Sequence, residues 1–250
     1  MVEATSEAFP YFGYGAVRQE NPLATLRRKI APTRFRLAAE AIIKETDLAS
    51  ESKILEIGCG VGLLGEAIKE QVPTQKNHYY GLDLNFDPAL KESQKRGISP
   101  IEASATALPF QDKSFDVIVS NDVFEHIDDA NRLVRETYRV LKPGGRAFIA
   151  IADPSEGRFD QVPDHIDRTG SGDNVNYWEN LFAKVGFSLL PTSQKYRKRD
   201  WRRIFNLPFL RKIKDKPVLS CCFDIVSRPG VYILEKKTEA NSSEAKEQAS

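Results

Sequence analysis

The residues best suited to chemistry gather at one turn. Leu55-Glu56-Ile57-Gly58-Cys59-Gly60-Val61-Gly62 joins a short β-rich run to the start of a helix. Glycines there let the backbone bend sharply and approach a ligand closely, at the sheet edge where open α/β proteins bind ligands. Asp83 closes the next β-rich run, twenty-one residues after Gly62. A carboxylate at that point can accept both hydroxyls of a ribose. Gly60-Val61-Gly62-Leu63-Leu64-Gly65 also fits the dinucleotide pattern G-x-G-x-x-G, so on this loop alone a nicotinamide or flavin enzyme stays open. Two features favour another ligand. Glu56 sets a carboxylate beside the loop, where it suits an ammonium group better than a pyrophosphate, and the glycines begin at Gly58, giving G-x-G-x-G.

Alternating elements must position these residues. Lys53 to Ile57 and Tyr79 to Leu84 read as strands, with a helix from Leu63 to Val72 between them that stops at Pro73. A short helix is expected from Pro88 to Arg96. Phe115 to Ser120 and Ala147 to Ala152 are apolar nearly throughout, as strands buried on both faces are. Asp129 to Leu141 between them reads as an amphipathic helix ended by Pro143-Gly144-Gly145. Asn176 to Val185 is helical with Gly186 in the C-cap position, and Phe187 to Leu190 and Val231 to Glu235 are the last strands. Strand and helix alternate from residue 53 to about 190, which predicts a doubly wound α/β sheet of the Rossmann-like kind with mostly parallel strands. Upstream, Thr33 to Leu48 reads as a helix behind Pro32, and residues 1–22, with Phe9, Tyr11, Phe12 and Tyr14, show no period. The expected organisation is an N-terminal arm and helical cap over 1–50, the α/β domain over 51–237, and a disordered polar tail over 238–250.

Composition bounds the function classes. The 250 residues are 41% hydrophobic and 28% charged, with 36 Lys+Arg against 35 Asp+Glu. That is ordinary globular material with room for one large α/β core, and it excludes wholesale disorder, a collagen-like repeat and a coiled-coil rod. Apolar stretches such as Ala147 to Ala152 are too short to span a bilayer, and the first ten residues lack the apolar core of a secretory signal. Three cysteines, Cys221 and Cys222 adjacent, make no disulfide framework. A reducing, cytoplasmic setting is the expectation.

Beyond the glycine turn, further motifs follow in order. ILEIGCGVG (54–62), GLDLN (81–85), ALPFQDKSFDVIVSNDVFEHI (107–127) and RVLKPGG (139–145) together resemble the class I S-adenosylmethionine-dependent methyltransferases, in the branch of ubiquinone/menaquinone-type and other small-molecule enzymes. The resemblance covers residues 53–152. It implies that Glu56, Gly58, Cys59, Gly60 and Gly62 line the methionine and ribose part of S-adenosyl-L-methionine, that Asp83 holds the ribose hydroxyls, and that Leu84 lies against the adenine. Ser104 and Ala105 stand where the family usually has Asp-Ala at the adenine edge, so a hydroxyl replaces the expected carboxylate. Asn121 would face the methionine moiety, although Asn121 and Asp122 also suit a turn and a cap of the following helix. An antiparallel final strand is implied as well. Cys59 suits simple packing better than a redox role.

Methyl transfer to a hydroxyl needs an aligned nucleophile and a proton acceptor, for which histidine is the usual choice near neutral pH. Of three histidines, His78 precedes a strand and is expected at solvent. His126 follows the fourth strand near the reactive end of the site, and His165 sits in the polar loop VPDHIDRTG after Asp153, on the rim. His126 and His165 are the candidate bases, each with a capping, packing or loop-orienting role as the alternative; Asp153 is a third candidate. The histidines are isolated and no Cys/His spacing suits zinc, so no metal is expected.

Net charge hides a local asymmetry. Ser193 to Pro217 holds ten Lys/Arg and two acids, and its +8 leaves −7 for the rest of a chain of net +1. This basic insertion (198–228) interleaves Trp201, Phe205, Leu207 and Phe209 with cations. It reads as a lid or extra helix packed on the domain, as a segment touching anionic lipid through 198–216, or as an RNA-binding patch, the last disfavoured because no RNA-binding module accompanies it. The expected partner is a small-molecule or lipid-linked acceptor, methylated on a hydroxyl oxygen, with carbon and nitrogen acceptors open. An NAD(P)-dependent oxidoreductase and a non-catalytic basic lipid- or RNA-binding protein are the readings from other classes.

Overall fold

Strands and helices alternate as the periodicity requires. The computed structural model describes residues 35–46, 48, 51–72, 78–84, 94–95, 97–152, 174–193 and 229–238. The N-terminal arm, most of the helix expected over 88–96, Asp153, His165, the basic insertion and nearly all of the polar tail lie outside the described residues.

Helix α1 (35–46) precedes β1 (Lys53–Ile57), α2 (Leu63–Gln71), β2 (His78–Asp83), β3 (Ile98–Glu102) and β4 (Phe115–Asn121). A 3-10 turn (Phe124–His126) leads to α3 (Ala130–Val140), β5 (Leu141–Ala152), α4 (Asn174–Val185), β6 (Phe187–Leu189) and β7 (Pro229–Lys236). The sheet order is β3-β2-β1-β4-β5-β7-β6. From β3 through β5 all pairs are parallel, and β7 runs antiparallel to both β5 and β6. The sheet is thus mostly parallel with an antiparallel final strand, as expected.

Strand side chains alternate between faces, and the buried residues divide accordingly. Leu55, Ile57, Ile118, Ile149 and Leu234 pack with Leu133, Val134 and Phe182 of α3 and α4 on one face. Ile54, Val119, Phe148 and Ile233 pack with Ala39 and Ile42 of α1 and Leu64 and Ile68 of α2 on the other. Each face is covered by helices, so the central strands are apolar on both sides.

Two elements differ from expectation. Ile98–Glu102 (ISPIE) is an edge strand of the described sheet that its composition hides: among the described residues only one long side is paired, Ser99 and Glu102 are exposed, and Pro100 suits an edge. The Pro143-Gly144-Gly145 segment lies inside the bounds of β5 rather than before it. Leu141 pairs with Phe115 and Arg146 with Val117, so the residues between them bulge out of register. Gly145 is needed there, because a Cβ would stand 2.9 Å from the backbone oxygen of Asp116.

Candidate functional site

Parallel strands β1, β2 and β4 end together at one edge, which brings the glycine turn, Asp83 and Asn121 side by side. Gly58, Gly60 and Gly62 all take positive φ, at 74°, 50° and 79°. The amides of Gly58 and Cys59 both donate to the carbonyl of Leu82, at 2.7 and 3.0 Å, and pin the turn to the end of β2. Asp83 is buried, and its Oδ2 accepts from the amide of Gly60 at 2.8 Å.

The glycines do different work. A Cβ on Gly58 would lie 2.2 Å from Cγ2 of Val123, so that position is closed by the segment after β4. A Cβ on Gly65 would meet the Tyr79 ring at 2.7 Å; its absence lets α2 sit close on β2. A Cβ on Gly60 would meet no atom of the described residues within 4 Å. Helix α2 enters from left-handed Gly62, which has no side chain to cap it, and the backbone of Gly65 in its first turn bonds the Glu56 carboxylate. An open glycine beside a buried carboxylate leaves room for a ligand that carries hydroxyls.

Glu56 is placed beneath this turn and not on its open side. It is 3% exposed, its Oε2 accepts from the Tyr79 hydroxyl at 2.8 Å, and the backbone of Gly65 also bonds it. Burial pushes its carboxyl up to about 8, and the charge of Asp83 adds to the rise. Cys59 is buried with Sγ 3.8 Å from the carbonyl of Gly60, and burial pushes its thiol up, away from the reactive thiolate. Packing is its role, as its sequence context indicates.

Leu84, next to Asp83, is 60% exposed, the one large apolar side chain so exposed among the described residues. It offers a flat apolar base an uncovered surface. Ser104 forms a local turn: its Oγ lies 2.9 Å from the Thr106 hydroxyl and accepts from the Thr106 amide at 3.2 Å. The amide of Ala103 donates to the carbonyl of Asp83 at 2.9 Å, which ties Ser104 and buried Ala105 to the same edge. Asn121 donates to Asp122 at 3.1 Å, and Asp122 holds φ of 54° while its amide bonds Ala150 at 2.9 Å. His126 closes the 3-10 turn that starts beside Val123, donating its amide to Val123 at 3.0 Å. It therefore stands near the turn, partly exposed, while His165 lies outside the described residues.

Three supports were not singled out in the sequence. Tyr79 engages Glu56, Val123 closes over Gly58, and Glu136 with Arg139 clamps the Leu108–Asp112 loop. Only the last pair leaves a local signal, opposite charges three apart on a helix.

Residues 55–149 match the family model of a methyltransferase domain. Over 104 residues the chain is 36% identical to the ubiquinone/menaquinone biosynthesis C-methyltransferase UbiE of Bartonella quintana, 39% of this chain and 40% of that protein. Over 107 residues it is 32% identical to the ubiquinone biosynthesis O-methyltransferase of Pseudomonas fluorescens (strain SBW25), 39% and 43% respectively. The chain thus spans less than half the length of these curated relatives. Its fold is also similar to the crystal structure of the 4+2 cyclase SpnF, with a TM-score of 0.56 at 17% identity and 81% of each chain covered.

Proposed function

We propose that this protein, whose residues 55–149 match the family model of a methyltransferase domain, is a class I S-adenosylmethionine-dependent methyltransferase that transfers a methyl group to a small-molecule or lipid-linked acceptor at a hydroxyl oxygen. The observation that carries the cofactor reading is that a Cβ on Gly60 would meet no described atom while the amide of Gly60 is held by buried Asp83, whose chain neighbour Leu84 is exposed. In this reading Gly58, Cys59, Gly60 and Gly62 present backbone to the methionine and ribose. Asp83 takes the ribose hydroxyls, Leu84, Ser104 and Ala105 border the adenine, and Asn121 faces the methionine end. Glu56 acts from below, holding the turn through Tyr79 and Gly65.

When bound, the cofactor supplies an electrophilic methyl on a sulfonium, so the protein's task is alignment and exclusion of water. His126, or His165 on the rim, accepts the acceptor's proton. The O-methyl choice draws support from the relative named for O-methyl transfer, while another is named for C-methyl transfer. A cytoplasmic setting, with contact to a membrane surface through 198–216, fits a lipid-linked acceptor.

The test is equilibrium binding of S-adenosylhomocysteine to Gly60→Arg and Asp83→Ala. Gly60→Arg carries the strain of a left-handed φ but its Cβ meets no described atom, and Asp83→Ala frees the Gly60 amide. With folding checked by circular dichroism, both should lose at least about tenfold in affinity, the first by filling the space and the second by the worth of one charge-assisted hydrogen bond. Unchanged affinity in either folded variant overturns the assignment. His126→Ala should keep that affinity and lose turnover by about a hundredfold if the histidine is the base; unchanged turnover transfers the role to His165 or Asp153.

A further inference from the structure

A cavity of about 460 Å³ runs along one side of α3 from Asn131 to Arg139 and opens toward the last turn of α4, the residues before β4 and the end of β7, at the sheet edge opposite the glycine turn. Its lining carries Lys113, Arg135, Arg139, Lys184 and Lys236, with Asp112 as the acid among them. Some of these cations already have structural work. Arg139 donates to Glu136 and Asp112 and to the carbonyls of Leu108 and Phe110, which engages Asp112 as well. Lys236 donates to the carbonyls of Tyr138 and Leu141, both at 2.8 Å, and lies 4.3 Å from the Tyr138 ring centre. The carbonyls of Arg139 and Val140 accept from the amides of Lys113 and Ser114, at 2.9 and 2.8 Å.

The carbonyl end of α3 is therefore satisfied without Arg135 or Lys184. Among the described residues neither side chain makes a hydrogen bond or an ion pair, and both are exposed at the cavity. Like charges also crowd: burial and then the Lys113 ammonium lower the proton affinity of Lys236. Tyr138 and Val185 supply an aromatic and an apolar wall. A volume of this order falls in the range of small-molecule clefts, about 300–1,000 Å³.

We infer that this cavity binds a phosphorylated small molecule, its phosphate between Arg135, Lys184 and Lys113 and its body against Tyr138. The site is separate from the cofactor edge and independent of the methyl-transfer reading.

Titration of the full chain with inorganic pyrophosphate near physiological ionic strength tests it. A single saturable site is expected, weakened at least about tenfold in an Arg135→Ala/Lys184→Ala double variant. Lys44→Ala, exposed on α1, should bind pyrophosphate as the wild type does. S-adenosylhomocysteine affinity should be the same in all three proteins, which separates this inference from the cofactor assignment. Binding that does not saturate, survives in the double variant, or falls equally in Lys44→Ala overturns the proposal; the cations would then serve only the helix C-termini and overall charge.

Discussion

Glu56 shows how a single position can be legible by type and illegible by direction. Its place before the glycines marked it for the site, but strand alternation turns it to the face of α1 and α2, where Tyr79 and Gly65 engage it. A buried carboxyl raised from 4.5 to about 8 adds stability fully present below its unfolded value and lost as pH climbs through the folded one. Glu56→Gln can still accept from the Tyr79 hydroxyl and has no charge to bury. The variant's melting temperature, measured without ligand, should gain on the wild type steadily between pH 5 and pH 8; a constant gap would mean that Glu56 does not titrate in this window. The glycines divide similarly. Gly58→Ala meets both a left-handed φ and Val123, so strain of about 1–2 kcal/mol and overpacking of about 1–3 kcal/mol combine. Gly60→Ala meets the φ term alone, and denaturant unfolding should rank Gly58→Ala as clearly the less stable. No sequence pattern distinguishes those two glycines, because the difference lies in Val123, sixty-five residues downstream of Gly58.

Among the elements, the central strands and the helices that cover them were readable because burial on both faces leaves continuous apolar runs. β3 was not, since an edge strand needs apolar side chains on neither its outer rim nor its exposed positions. The bulge within β5 looks in sequence like a helix stop, which Pro143 and Gly144 do supply, but the pairing of Leu141 with Phe115 depends on a partner strand that local signals do not reveal. The clamp between α3 and the Leu108–Asp112 loop has the same long-range character. Arg139 reaches Leu108, Phe110, Asp112 and Glu136 with one planar group, and a lysine has neither the fork nor the donors to replace it. Arg139→Lys should cost roughly 1–2 kcal/mol, allowing for its partial exposure, and should speed hydrogen exchange at the Leu108 amide, which Glu136 holds at 2.8 Å. Unaltered exchange there would show that the loop is fixed by its apolar contacts instead.

In the molecule as a whole, the parallel sheet separates two working edges. Glycines, Asp83 and the Ser104 turn gather where strands β1, β2 and β4 end, and the cationic cavity lies where the helices return. The motif block spoke to the first edge because its residues follow one another along 54–127; the second is assembled from four separate elements and has no linear signature. A fold similar to that of a cyclase, on a chain that matches a methyltransferase-domain model, cannot by itself assign the chemistry, so the ligand at the glycine turn decides the account. The direct measurement is calorimetric titration of the full chain with S-adenosylhomocysteine, with NAD and NADP in parallel. The account predicts saturable binding near micromolar affinity, of order −8 kcal/mol, for S-adenosylhomocysteine alone. Binding of a dinucleotide in its place would make Gly60 to Gly65 a dinucleotide loop and contradict the methyl-transfer assignment.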